Sequence, residues 1–286
     1  MAIRPAPKHR SQLRLFLGKR WFRTRRYARW LLEQNQYART LSPKDLLPES
    51  VFEHQSLILR PLAGVDMQLQ ENKRTNLSLA LERLNGLRVK PGQTFSFWYL
   101  VGRPSRWRGF LPGLILQNGT VQEGIGGGLC QLGNLLFWII LHSPLTVTER
   151  WRHSYDVFPD VQRKVPFGAG ATLSYNYVDL QFKNETKQDF QLKLWLDKTH
   201  LHGQLLTDHP LVEYYTVEER NHQIRGQAWG GYTRHNQIIR NRWELASDCK
   251  LGEEIITENH AVLMYQPFLG AADGEIRSAA ENTSKE

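Results

Sequence analysis

Positions 124 to 131 read Gly-Ile-Gly-Gly-Gly-Leu-Cys-Gln, and an apolar run follows at once. A turn this rich in glycine lets backbone N–H groups come close to a ligand and reaches positive φ without strain. The helix start expected behind it offers unpaired N–H groups and a partial positive charge, which lowers the pKa of a thiol placed there. Cys130 therefore has the surroundings of a nucleophile. The amides of Gly126, Gly127 and Gly128, with Gln131 beside them, form a cradle for an oxyanion or a phosphate. A thiol nucleophile needs a base and a group that orients the base. The stretch Glu149-Arg150-Trp151-Arg152-His153 supplies His153 as the base and Arg150 as a ligand contact. Asp179, in Tyr177-Val178-Asp179-Leu180, is one candidate orienter and Glu149 the other. An aspartate among apolar neighbours is costly to bury unless it is paired.

Each of these residues also has a structural reading: a small core thiol, a turn that permits close packing, a satisfied histidine. Cys249 sits in a polar stretch and has no partner pattern, and two cysteines so far apart make no disulfide framework. His200 and His202 share a strand face but no third ligand accompanies them. Neither a metal nor a cofactor is expected. A phosphate-loop lysine motif is missing, and Gly124-x-Gly126 lacks the strand–helix–strand setting of a dinucleotide site.

The elements that must position this chemistry follow from periodicity. Residues 132–142 are apolar almost all round and predict a fully buried helix. Strands are expected at 145–150, 171–175, 177–183 and 188–196, with more between 212 and 268, and the aromatic run from Thr94 to Val101 reads as strand. Leu114-Ile115-Leu116, Asn118-Gly119 and Thr120-Val121 read as a hairpin. Residues 73–87 predict a helix capped by Asn76 and ended at Asn85-Gly86. The whole is expected to be α+β, a mixed or antiparallel sheet packed on the buried helix starting near Cys130, with a basic amphipathic helix in front.

Charge divides the chain. Ten of the 37 Lys and Arg fall in residues 1–30, which hold no acid, leaving 27 basic against 28 acidic residues over the rest. The net charge of +9 thus belongs to an N-terminal arm. Within it, Ser11 is a cap and Leu13, Phe16, Leu17, Thr24, Tyr27, Ala28 and Leu31 recur at helical spacing. Such a helix suits an anionic membrane surface, suits nucleic-acid phosphates less well once the neutral body is counted, or packs its stripe on the body. Apolar stretches are too short to span a bilayer, and a secretion signal's apolar region is missing. The chain is therefore read as cytoplasmic, peripheral on the inner membrane face. The expected layout is an arm and linker over 1–48, a core over 49–210, a β-rich extension over 211–270 and a disordered tail over 271–286.

Five blocks in order resemble the VanW family, named for an accessory protein of glycopeptide resistance clusters. They are PGQTFSFW (91–98), VGRPSRWRGF (101–110), GGGLCQL (126–132), ERWRHSYDVFP (149–159) and PFGAGATLSYNYVDLQFKN (166–184). The resemblance implies a role in cell-wall metabolism or glycopeptide resistance, with a wall precursor or peptidoglycan fragment as partner. Broader members of the family often carry Asp where this chain has Gly170, and a Ser-Thr pair where it has Gly133-Asn134. The orienting role then falls to Asp179 or Glu149. Two functions follow: an enzyme using Cys130 and His153, or a non-catalytic ligand-binding protein held at the membrane by its arm.

Overall fold

The computed structural model describes residues 11–59, 67–117, 120–152, 154–157, 165–265 and 267. The expected tail at 271–286, the Asn118-Gly119 turn and His153 lie outside the described residues. In chain order the helices are α1 (Gln12–Leu32), α2 (Met67–Leu81), α3 (Phe97–Val101) and α4 (Leu129–Leu141). The strands are β1 (Glu49–Leu57), β2 (Arg88–Val89), β3 (Thr94–Ser96), β4 (Pro112–Gln117), β5 (Thr120–Ile125), β6 (Thr146–Glu149), β7 (Tyr155–Asp156), β8 (Gln181–Lys183), β9 (Phe190–Leu196), β10 (His200–Thr207), β11 (Glu213–Gly226), β12 (Tyr232–Glu244) and β13 (Lys250–Leu263). The fold is α+β.

Helix α4 is the centre of the core. Leu132, Leu136, Phe137, Ile139, Ile140 and Leu141 are wholly buried, as a helix apolar on nearly every side must be. It lies on the antiparallel sheet of order β1-β10-β9-β2. The approach is close at Gly203 of β10, where a Cβ would stand 2.7 Å from Ile139 Cδ1 and 3.0 Å from Leu135 Cδ2. A smaller sheet, β3-β8-β6, carries Glu149 at its end. β4 and β5 form the expected hairpin, and β11, β12 and β13 form a long meander to which β7 adds in parallel.

Local expectations failed where side chains or remote groups took over backbone hydrogen bonds. The run from Thr94 to Val101 is strand only to Ser96 and then turns into α3. Ser96 Oγ accepts from Tyr99 N–H at 3.3 Å and the Asp179 carboxylate accepts from Trp98 N–H at 3.0 Å, so the helix is capped from two places. Residues 171–175 form no strand, because Asn134 Oδ1 accepts the Ala171 N–H and Trp151 O accepts the Thr172 N–H, both at 2.7 Å. Asn76 is no cap: it sits inside α2, buried, and its amide donates to Leu111 O and Gly127 O at 3.0 and 2.9 Å.

Helix α1 begins with Ser11 Oγ accepting from Arg14 N–H. It is latched to the body along one side. Trp30 is buried edge-on to Tyr99, Tyr27 and Tyr175 share a hydrogen bond between hydroxyls at 2.7 Å, and Phe22 meets Tyr177. Apart from Tyr27, the apolar stripe does not pack on the body. Leu13, Phe16, Leu17, Trp21, Leu31 and Leu32 are exposed, Leu32 at 83%. The body offers this helix an acidic pocket with an aromatic rim, and the edge carrying Phe22, Arg26 and Trp30 fits it. No helix among the described residues is long and apolar enough to cross a membrane.

Candidate functional site

The glycine turn is built for proximity between chain segments. Gly126 and Gly128 take φ values of 78° and 94°, and a Cβ on Gly127 would stand 2.0 Å from the carbonyl carbon of Gly113. The turn is therefore pressed against the start of β4. Its amides are already spent: Gly126 N–H donates to Leu111 O, Gly127 N–H to Gly124 O and Gly128 N–H to Leu114 O, at 3.0, 3.1 and 3.0 Å. The cradle expected of these three amides is thus occupied by the protein's own carbonyls. Gln131 reaches away, donating from Nε2 to Ser56 Oγ and Leu57 O at the end of β1.

Cys130 lies in the first turn of α4 and is partly accessible. Its Sγ lies 3.8 Å from Leu173 O, and neither Glu149 nor Asp179 bonds it. Burial pushes the thiol pKa up, with the Leu173 contact acting the other way. This is opposite to the direction a helix terminus alone sets. Two elements of the expected site do meet. Asp179 N–H donates to Glu149 Oε1 at 3.0 Å, and between the two carboxylates stands Arg26 of α1. Its guanidinium is bidentate to Glu149 at 2.8 and 2.7 Å and 3.5 Å from Asp179. Asp179 is fully buried and also accepts from Ser96 Oγ at 2.6 Å and Gln181 Nε2 at 3.0 Å. Burial nonetheless lifts its carboxyl to about 6, against the pull of these donors and of Arg26. Burial opposes the charge of Arg26, and Glu149 and Asp179 outweigh it, raising its pKa.

Arg150 works as a clamp. Its Nε donates to Gly170 O at 2.7 Å, its Nη2 to Gly168 O and its Nη1 to Thr257 Oγ1 at 3.1 Å, while Phe137 stacks beneath it. Burial, with Arg152 nearby, lowers its pKa. Its donors tie the 168–170 segment to β13. Gly170 and Asn134 also fall together: a Cβ on Gly170 would stand 2.7 Å from Asn134 Oδ1.

Sequence reasoning missed Arg26, Ser96 and Gln181 as members of the acid cluster and Asn134 as the support of residue 171. Ser96 stands in the PGQTFSFW block, which marks it. Arg26 is one cation among many in the arm, and its partners lie 123 and 153 positions away.

A family model described as "VanW like protein" matches residues 72–206. The vancomycin B-type resistance protein VanW of Enterococcus faecalis is 36% identical over 219 residues, covering 75% of this chain and 79% of that protein. The uncharacterized protein YoaR of Bacillus subtilis is 31% identical over 123 residues, 43% of this chain and 39% of that protein. No solved structure matches the chain.

Proposed function

The chain belongs to the VanW-like family, and on that premise we propose that it serves cell-wall metabolism in vancomycin resistance, holding a wall-derived ligand at an anionic membrane surface. The observation that carries this reading is the two-sided character of α1. One edge is latched to the body through Trp30, Tyr27 and Arg26, while Leu13, Phe16, Leu17, Trp21, Leu31 and Leu32 face solvent. At 3.6 residues per turn these apolar side chains make one stripe, with Arg14, Arg25 and Arg29 along one flank, Arg23 along the other and Arg20 within it, over the Phe16 ring. Leucine and tryptophan entering the headgroup boundary while guanidinium groups meet phosphates is the arrangement of an interfacial helix.

The test is co-sedimentation of the full chain with vesicles containing anionic lipid, beside the double variant Leu17→Ser/Trp21→Ser. Both side chains are exposed, so the fold survives the change. Each is worth about 1.5–3 kcal/mol when fully buried, so the pair should weaken vesicle binding at least about tenfold. Equal pelleting of the two proteins, or none of either, refutes membrane docking.

A second reading keeps an enzyme: Cys130 as nucleophile, His153 as base and Asp179 or Glu149 as orienter, acting on peptidoglycan or its precursor. Its support is the partial accessibility of Cys130 in the first turn of α4. The raised thiol pKa and the engagement of both acids by Arg26 weigh against it.

A further inference from the structure

Between α1 and the loop that follows α3 lies a cavity of about 390 Å³, lined by Arg20, Arg23, Thr24, Tyr27, Arg103 and Tyr175. The four residues from α1 are spaced i, i+3, i+4 and i+7, so they share one side of the helix, and that side overlaps the arc of the apolar stripe, to which Thr24 and Tyr27 belong. Among the described residues the side chains of Arg23 and Arg103 have no hydrogen-bond or ion-pair partner, and Arg20 has only the ring face of Phe16 at 5.1 Å. Arg26 on the same helix is saturated by carboxylates. Three unneutralised guanidinium groups around one concavity repel each other, and an anion between them removes that cost.

The cavity is held in shape from below. Arg108 donates from Nη1 to Arg103 O and from Nη2 to Val101 O, at 2.8 and 2.7 Å, which fixes the loop carrying Arg103. The hydroxyls of Tyr27 and Tyr175 bond each other in its wall. Arginine's planar fork matches phosphate oxygens in pairs. Trp107, on the same loop, is 100% exposed, and such a tryptophan sits at headgroup level in a bilayer.

We propose that this cavity binds the phosphate headgroup of a membrane lipid, admitted as the neighbouring stripe of α1 enters the bilayer; the proposal rests on the membrane-docked reading above. A phosphate monoester, with more free oxygens and more charge than a diester, engages the three arginines best.

The experiment uses the full chain with phosphatidylcholine vesicles containing either phosphatidic acid, a bare monoester, or phosphatidylglycerol at matched surface charge. The variant is Arg23→Lys/Arg103→Lys, which keeps the net charge but loses the fork and breaks no internal contact. The wild-type chain should bind phosphatidic acid vesicles about tenfold more tightly, the weight of one charge-assisted hydrogen bond. The variant should bind both vesicles at the weaker level, and inorganic pyrophosphate should compete only against the wild type. Vesicle binding that ignores the headgroup, or a preference that survives in the variant, overturns the pocket and leaves membrane docking standing. Pyrophosphate binding without vesicle binding overturns the docking reading and the lipid source together.

Discussion

At Cys130 two opposed effects act on one atom. A helix start stabilises the thiolate, whereas burial destabilises it. Burial prevails, because the neighbouring glycine amides donate to carbonyls of the hairpin and Sγ faces Leu173 O. Iodoacetamide at pH 7 should therefore modify exposed Cys249 well before Cys130, with Cys130 reacting only at alkaline pH or on unfolding. Peptide mass spectrometry over time reads both sites, and labelling of Cys130 ahead of Cys249 at pH 6 would restore the nucleophile. The electrostatic setting of the thiol was legible from glycine content and the helix start, but its desolvation was not, since the partly accessible side chain turns its Sγ toward Leu173, 43 positions on. Likewise Asp179 was legible as an aspartate needing a partner, while the partner's identity, Arg26, was hidden among equivalent arginines.

Among the elements, those with a strong internal signal were readable. The buried helix near Cys130 and the β4–β5 hairpin needed only apolar continuity and an Asn-Gly pair. Residues 171–175 and the second half of 94–101 were not readable, because Asn134, Trp151 and Asp179 take the amides that a strand would pair. The contact between the glycine turn and β4 gives a direct check on how the hairpin is held. Gly127→Ala drives a methyl group into the Gly113 backbone, which neither strand can vacate without losing hydrogen bonds. Overpacking of this kind costs about 1–3 kcal/mol or more. Urea unfolding should show that loss, and an unchanged midpoint would mean that the hairpin shifts freely against α4.

For the molecule as a whole, the basic segment is part of the folded body's charge balance. Removing residues 1–32 leaves Glu149 and Asp179 without Arg26 and uncovers the site of Trp30. Breaking a buried pair by losing one partner costs about 3–5 kcal/mol, so the truncated chain should unfold at lower urea than the full one at pH 7. The deficit should shrink at pH 5. A carboxyl whose folded pKa is raised, as that of Asp179 is to about 6, binds its proton more tightly in the fold, so its effect on stability worsens as pH rises through that value and eases below it. Equal stability of the two chains at pH 7 would show that the Arg26 contacts contribute nothing. Helix α1 joins its two faces rigidly, through Arg26, Tyr27 and Trp30 on one side and the open stripe on the other. If α1 docks as proposed, the body it carries spins about the membrane normal but cannot roll. The search for a ligand carried in that membrane would then become a two-dimensional walk, with one side always turned toward the headgroups.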